Sequence, residues 1–234
     1  NTRTNIAAKG LSGEGYEGHT FWDTEIYLIP YFTQVDSRVA KNLLLYRYYQ
    51  LLQAKKEAEL LGVDEGVKFA WRTISGRECS GYYPAGTAQY HINSDIAYAL
   101  IKYYQQTKDE PFMKEYGIEL LLETARFFKH VVHKSGHQYH MHHVTGPDEY
   151  TAVVDDNFYT NAMLKYHLET LVKLLKNSRY QSCLTRLNVK DDERRLFEDI
   201  AKNITLEKDE RLGIDKMDAS FQHKSSWPQK YDQR

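Results

Sequence analysis

Apolar residues recurring at helical spacing, segment after segment, constrain this chain more than any other feature. Between Asp36 and Leu61 the positions Val39, Leu43, Leu44, Tyr46, Leu51, Leu52, Ala58 and Leu61 trace one face of an α-helix. Asp36 or Ser37 can cap its start, and Gly62 stops the run. Tyr90, Ile92, Ile96, Ala97, Leu100, Ile101 and Tyr104 mark a second helix over 88–106. The segment 109–132 repeats the theme, with Pro111 in the first turn and Gly136 beyond the end. Further helices are predicted at 157–175 and 191–203. Strand signals are few: "HQYHMHHV", residues 137–144, alternates weakly between Gly136 and Gly146. The expectation is an all-α chain of α/α architecture, a solenoid or a toroid. No repeated motif marks a short-period solenoid.

A chain of 234 residues suits one large domain or two small ones. Its net charge of −1 gives no electrostatic case for nucleic acid or an anionic membrane. It has no apolar run approaching about 18 residues. Two cysteines, Cys79 and Cys183, fit a reducing compartment, so the expected location is cytoplasmic. Aromatic residues make 13% of the chain, nineteen of them tyrosine. Core packing accounts for most; the alternative is a carbohydrate-handling cleft, where rings stack on sugars and phenols bond hydroxyls. The chain opens on Asn1 and closes on "WPQKYDQR", as expected of a piece of something longer.

Three long loops, 10–23, 62–87 and 134–157, hold most of the Gly, Pro and Trp, and long ordered loops in helical domains are usually functional. In "GLSGEGYEGHTFWDTE", residues 10–25, four glycines precede His19, Trp22, Asp23 and Glu25. A Gly-rich loop entering a helix could cradle phosphate, yet this one lacks the Lys-Ser/Thr of a P-loop and a preceding strand. A Trp-Asp pair suits a pyranose better, the ring stacking and the carboxylate accepting from adjacent hydroxyls. The structural alternative makes Asp23 or Thr20 a helix cap. Six of the ten histidines fall between His130 and His143, and His140 and His142 would share one strand face. An H-x-H pair on a strand can bind zinc, but no third ligand stands at a usable spacing, so no metal is expected. Gly146-Pro147 turns the chain and projects Asp148 and Glu149. A carboxylate beside another, beneath aromatic residues, tends to keep its proton, as a general acid for a glycosidic oxygen must. Asp155, Asp156 and Asn157 either cap the next helix or bind substrate.

Four segments carry a resemblance: "KGLSGEGYEGHTFWDTEIYLIPYF" (9–32), "ETARFF" (123–128), "YHMHHVTGPDEYTAVVDDNFYTN" (139–161) and "LGIDKMDASF" (212–221). Long, in order and suitably separated, they resemble the inverting disaccharide phosphorylases of glycoside hydrolase family 65, the trehalose, maltose and kojibiose enzymes. The resemblance implies that residues 1–221 form a partial (α/α)6 toroid barrel, its N-terminal half to two-thirds, followed by a divergent or truncated tail at 222–234. It implies a glycosyltransferase that phosphorolyses an α-glucosyl disaccharide with inversion, giving β-glucose 1-phosphate and a free acceptor sugar. Glu149 of the G-P-D-E-Y motif would be the general acid. Trp22 and Asp23, with His19 from the same loop, would bind the non-reducing glucose. Inorganic phosphate is the co-substrate and nucleophile, so neither a protein base nor a cofactor is implied. A homodimer would be compatible with the full-length enzyme.

The loop "WRTISGRECSGYYPAGTAQYHIN", residues 71–93, looks most like trehalose enzymes, favouring trehalose or its phosphate as substrate. Arg77, Glu78, Tyr82 and Tyr83 are its candidate acceptor-site residues; their other role would be to hold the loop together. Maltose or kojibiose phosphorolysis, hydrolysis by a relative in the same family, or a non-catalytic carbohydrate-binding helical piece are the alternatives. Two departures stand out. The family pattern expected two asparagines where this chain has Asp156-Asn157, a change at a capping position. After Phe221, "HKSSWPQKYDQR" keeps only an echo of an expected K-Q-A-D helix, so Lys230 receives no role, and a phosphate-gripping loop has no counterpart. In isolation the chain is expected to be inactive.

Overall fold

The helix-spaced runs become helices in a computed structural model that describes residues 1–10 and 12–225. A π-helical turn, Thr24–Leu28, leads into α1 (Ile29–Val35), followed by α2 (Ser37–Tyr49) and α3 (Leu51–Leu60). The Asp36 carboxylate accepts from the Arg38 backbone N–H at 3.1 Å, capping α2. The single helix expected over 36–61 is two, because at Gln50 the N–H turns back to Arg47 O (3.0 Å) and tightens the chain by a residue. Next come α4 (His91–Thr107), α5 (Glu110–Phe112), a second π turn (Met113–Gly117) and α6 (Ile118–Val131). Asp109 caps α5 by accepting from Phe112 N (3.1 Å), with Pro111 in the first turn. The remaining helices are α7 (Phe158–Leu175), α8 (Gln181–Arg186) and α9 (Asp191–Asn203).

The chain is mostly helical but not wholly so. The weak alternation at 137–144 is the strand β2 (Gln138–Met141), paired antiparallel with β1 (Val132–Ser135) in the register His133 opposite His140. A second short pair, β3 (Lys208–Asp209) and β4 (Ile214–Asp215), follows α9.

Helix α4 is the hub, packing against α1, α2, α6 and α7, while α7 carries α9 on its other side. Its middle turns explain this, with Ile96, Ala97, Leu100 and Ile101 almost wholly buried. Its first turns are equally buried yet polar, with His91, Asn93, Ser94 and Asp95 inside. Buried polar groups need partners. Asn93 finds them in loop 62–87, accepting from Phe69 N (3.0 Å) and donating to Val67 O (2.7 Å). That loop docks on α6 so tightly that a Cβ on Gly66 (φ +80) would lie 2.3 Å from Phe127 N. Helix α9 turns Phe197, Ile200 and Ala201 inward, and its Glu193 takes Arg126 (2.9 Å) and Lys129 (2.7 Å) from α6. Glu25 and Arg47, both with fully buried side chains, form a bidentate pair at 2.7 and 3.0 Å that ties α2 to the turn following Trp22. No helix among the described residues is long and apolar enough to cross a membrane. Of the tail at 222–234, residues 226–234, Lys230 among them, lie outside the described residues.

Candidate active site

The polar first turn of α4 leads outward to the loop that holds Glu149. Tyr159, in the first turn of α7, donates its hydroxyl proton to Asp95 Oδ1 at 2.9 Å. Asp95 Oδ2 lies 2.6 Å from His91 Nδ1, and His91 Nε2 lies 3.0 Å from Gln89 Oε1. The Gln89 amide nitrogen then donates to Glu149 Oε1 at 3.0 Å. Gln89, His91 and Asp95 are at most 1% exposed, so the middle of this chain of bonds runs through the interior until it reaches Glu149. Burial first, then the Asp95 charge, pushes the Tyr159 phenol far above its usual pKa and keeps it a donor. Trp22, half-buried, packs its ring edge-on to His91 (5.3 Å) and beside Tyr159 (6.0 Å). One wall thus joins the Trp22 loop, α4, α7 and Glu149.

Glu149 is exposed, and the burial expected to hold its proton is not supplied by the described residues. Asp148 does not pair with it either. Its oxygens accept from Tyr150 N (3.2 Å) and Thr151 Oγ1 (3.0 Å), closing its own turn. The loop is clamped instead by loop 71–93: Tyr83 donates to Glu149 O (2.8 Å) and Thr145 N to Ala88 O (3.0 Å). Burial first, then the charges of Glu149 and Asp148, raises the Tyr83 phenol pKa. At the loop's base Val144 and Val154 pair through two backbone bonds (2.9 and 2.8 Å). That pairing holds Val153 at φ +56, a left-handed conformation costing a β-branched residue on the order of 1–3 kcal/mol. Gly146 has no room for a side chain, since a Cβ would lie 2.4 Å from Asn157 Nδ2.

The acidic cluster after the loop divides its work differently from expectation. Only Asn157 caps α7, accepting from Thr160 N (3.0 Å) and Thr160 Oγ1 (2.9 Å). Asp155 turns back to His143 N (3.0 Å). Asp156 accepts from Met141 N (3.0 Å) and pairs with His140 Nδ1 (2.7 Å). The change at Asp156 therefore lies at a strand-to-helix tie, not at a cap. It also supplies what the sequence spacing did not offer: His140, His142 and Asp156 bring ligand atoms within 4.8 Å of one another.

The other sequence candidates separate clearly. Asp23 is exposed and makes no capping bond, and Thr20 Oγ1 donates to Thr73 O (3.0 Å), so neither is a side-chain cap. The Asp23 carboxylate has no hydrogen-bond partner among the described residues and can accept from a ligand. His19 sits between Tyr16 O (2.8 Å) and Arg72 Nη2 (3.2 Å), closing the Gly-rich loop. Glu78 holds its own loop together, accepting from Trp71 N (2.9 Å), Lys68 Nζ (2.9 Å) and Arg72 N (3.1 Å). Arg77 is exposed and makes no side-chain hydrogen bond among the described residues. A cavity of about 550 Å³ lined by Arg3, Tyr46, Gln50 and Ile74 includes none of these candidates. Gln89, His91, Asp95 and Tyr159 were not singled out from sequence. Their one signal was a His-Asp pair four residues apart where the apolar stripe of α4 begins.

The chain matches the glycosyl hydrolase family 65 central catalytic domain over residues 1–234. It is 47% identical to an α,α-trehalose phosphorylase of Geobacillus stearothermophilus, covering 96% of this chain and 30% of that protein. It is 38% identical to a kojibiose phosphorylase of Halothermothrix orenii, covering 89% and 27%. A solved structure of a human-microbiome protein, provisionally assigned as a kojibiose phosphorylase, superposes with a TM-score of 0.88 at 29% identity, over 95% of this chain and 30% of that one. The chain thus spans about 30% of the length of the relatives it matches. With a family match along its whole length and a helical fold to go with it, the chain belongs to glycosyl hydrolase family 65 and is part of that family's central catalytic domain.

Proposed function

We propose that this chain is the portion of an (α/α)6 catalytic barrel that carries the general acid of an inverting disaccharide phosphorylase. The observation that carries the reading is the bond from Gln89 to Glu149, at the outer end of a buried relay that also forms the wall behind Trp22. Trp22 offers a ring face to the glucose to be transferred, and Asp23 offers free oxygens to its hydroxyls. With Glu149 Oε1 taken by Gln89, Oε2 is the oxygen that carries the proton to the glycosidic oxygen. Phosphate, the co-substrate, attacks the anomeric carbon from the opposite face. The C–O bond to phosphate forms as the glycosidic bond breaks, and the departing sugar takes the Glu149 proton. The new phosphate ester returns a proton to Glu149, so the site is restored and the sugar phosphate leaves with inverted configuration.

Among α-glucosyl disaccharides we favour trehalose or its phosphate, supported by the trehalose phosphorylase relative and the character of loop 71–93. In the full-length enzyme Glu149→Gln should lower turnover by on the order of 10²–10⁴ while disaccharide binding is largely kept. Near-normal turnover would remove Glu149 from the role. Phosphate-dependent release of glucose 1-phosphate from trehalose, maltose and kojibiose in parallel assigns the substrate, and release of glucose without phosphate would replace phosphorolysis by hydrolysis.

A further inference from the structure

The end of β2 and the start of α7 meet at a cluster of imidazoles that the proposed reaction does not use. His140 lies on β2, and His142 stands two residues further on, just past the strand's end. The hairpin register sets His133 opposite His140, and the three rings gather with centroids 4.1, 5.6 and 6.1 Å apart. Asp156 reaches them from the far side of the Glu149 loop, its backbone in the left-handed region at φ +48. We propose that His140, His142 and Asp156 bind one divalent transition-metal ion, with zinc as the best fit.

The chemistry of the donors selects the ion. Two imidazole nitrogens and one carboxylate oxygen suit Zn²⁺, Co²⁺ or Ni²⁺, whereas Mg²⁺ and Ca²⁺ take all-oxygen shells. One donor atom from each residue already lies within 4.8 Å of the others. Zinc bonds of about 2.0–2.1 Å put tetrahedral ligand atoms roughly 3.3–3.5 Å apart. His140 Nδ1 and Asp156 Oδ2, now 2.7 Å apart across a hydrogen, would open to admit the ion in its place. His142 would close on it, and it is free to do so: it is exposed and makes no side-chain hydrogen bond among the described residues.

The carboxylate, in contrast, is fixed in advance. Asp156 is only 4% exposed, and its other oxygen accepts from Met141 N (3.0 Å) and Asn161 Nδ2 (3.2 Å). Such outer partners orient a ligand and raise its affinity. The exposed side of the cluster gives the ion its entry path and leaves the fourth position to water. Residues 143–155, which include Glu149, run from His142 to Asp156, so the bound ion would clamp the base of that loop from outside the reaction centre. The site does not depend on what Glu149 does.

The test is direct metal binding by the whole chain, stripped with a chelator and exchanged into metal-free buffer. Calorimetric titration with ZnCl2 should show one saturable equivalent, and Co²⁺ in its place should give the intense visible bands of a four-coordinate complex. His142→Ala, at an exposed position, should weaken zinc binding by about 100-fold or more. Asp156→Asn should do the same, while His137→Ala, in the hairpin turn, should leave affinity unchanged. A large excess of MgCl2 should not displace the zinc. Absence of saturable binding, undiminished affinity in His142→Ala, an equal loss in His137→Ala, or displacement by magnesium would each overturn the proposal.

Discussion

Acid should weaken this fold through one histidine whose position allows the cost to be worked out. His167 lies on α7 with no exposed surface. Its Nε2–H donates to Leu121 O at 2.9 Å, and its Nδ1 has no partner. A buried imidazole surrounded by α6 and α7 cannot take up a second proton without placing an unsolvated charge there. Burial therefore pushes its pKa from the usual 6.5 down to about 4. The unfolded chain binds this proton near pH 6.5, whereas the folded chain resists it until about pH 4. Between those values the unfolded state holds more protons, so stability falls as pH falls. Above pH 6.5 the residue contributes no pH dependence. A gap of that size corresponds to about 3 kcal/mol lost across the window. Urea unfolding followed by tryptophan fluorescence, at several pH values through the window, measures it. Carboxylates such as Asp199, held down by hydrogen bonds from Lys134 and Tyr139, add acid sensitivity of their own. The informative quantity is therefore the difference between the wild type and His167→Gln, whose amide can still donate to Leu121 O. The variant should lose about 3 kcal/mol less on acidification. Equal pH slopes for the two proteins, or an imidazole signal from His167 titrating near 6.5, would refute the reasoning.

Arg47→Met leaves Glu25 as an unpaired buried charge and should destabilise the chain by about 3–5 kcal/mol; adding Glu25→Leu should restore much of the loss, read as the melting temperature. Gly66→Ala combines a positive φ with a backbone clash against α6 and should cost about 2–4 kcal/mol, whereas Gly136→Ala, with open space around it, should cost about 1 kcal/mol from strain alone. In the full-length enzyme Gln89→Leu should lower kcat by roughly 10–100-fold with KM largely kept, and an unchanged kcat would mean that Glu149 is positioned by other groups.

Helix positions were legible because burial on one face writes a period into the sequence. The run 191–203 becomes α9 with Phe197, Ile200 and Ala201 inside, and Asn157 marks the start of α7 by its own capping bond. The break at Gln50 was not legible, since both halves continue the apolar stripe and only the tightened turn separates them. Strand β1 was hidden because only Val132 of its four residues is buried. Glu149 and Trp22 stood out because turn chemistry and an aromatic-acid pair are local signals. Gln89, His91 and Asp95 did not, because a buried polar residue looks like a surface one until its partner is known. The partner of Gln89 is 60 residues away. The third ligand near His140 was missed for a related reason: Asp156 reads as a helix cap in sequence and becomes a strand tie only when the loop between them closes.

That closure bears on how an exposed carboxylate could serve in the acid role proposed for Glu149. In that proposed role, exposure gives Glu149 access to a glycosidic oxygen, but it also leaves the side chain free to turn away. The relay answers the second difficulty from the inside. Both ring nitrogens of His91 face oxygens, Asp95 Oδ2 and Gln89 Oε1. The Gln89 amide lies with its oxygen toward His91 and its N–H toward Glu149. Turned the other way, the amide would present its oxygen to a carboxylate that becomes negative as the proton leaves. In the orientation held here and under the proposed mechanism, the N–H bond would strengthen as that charge develops, which would favour the transition state over the bound substrate. Tyr159 and Asp95 make no hydrogen bond to Glu149, yet through His91 they are bonded to the amide that does. Because Gln89, His91 and Asp95 are buried, the amide is held before any ligand arrives, and the exposed residue takes its geometry from the core of α4.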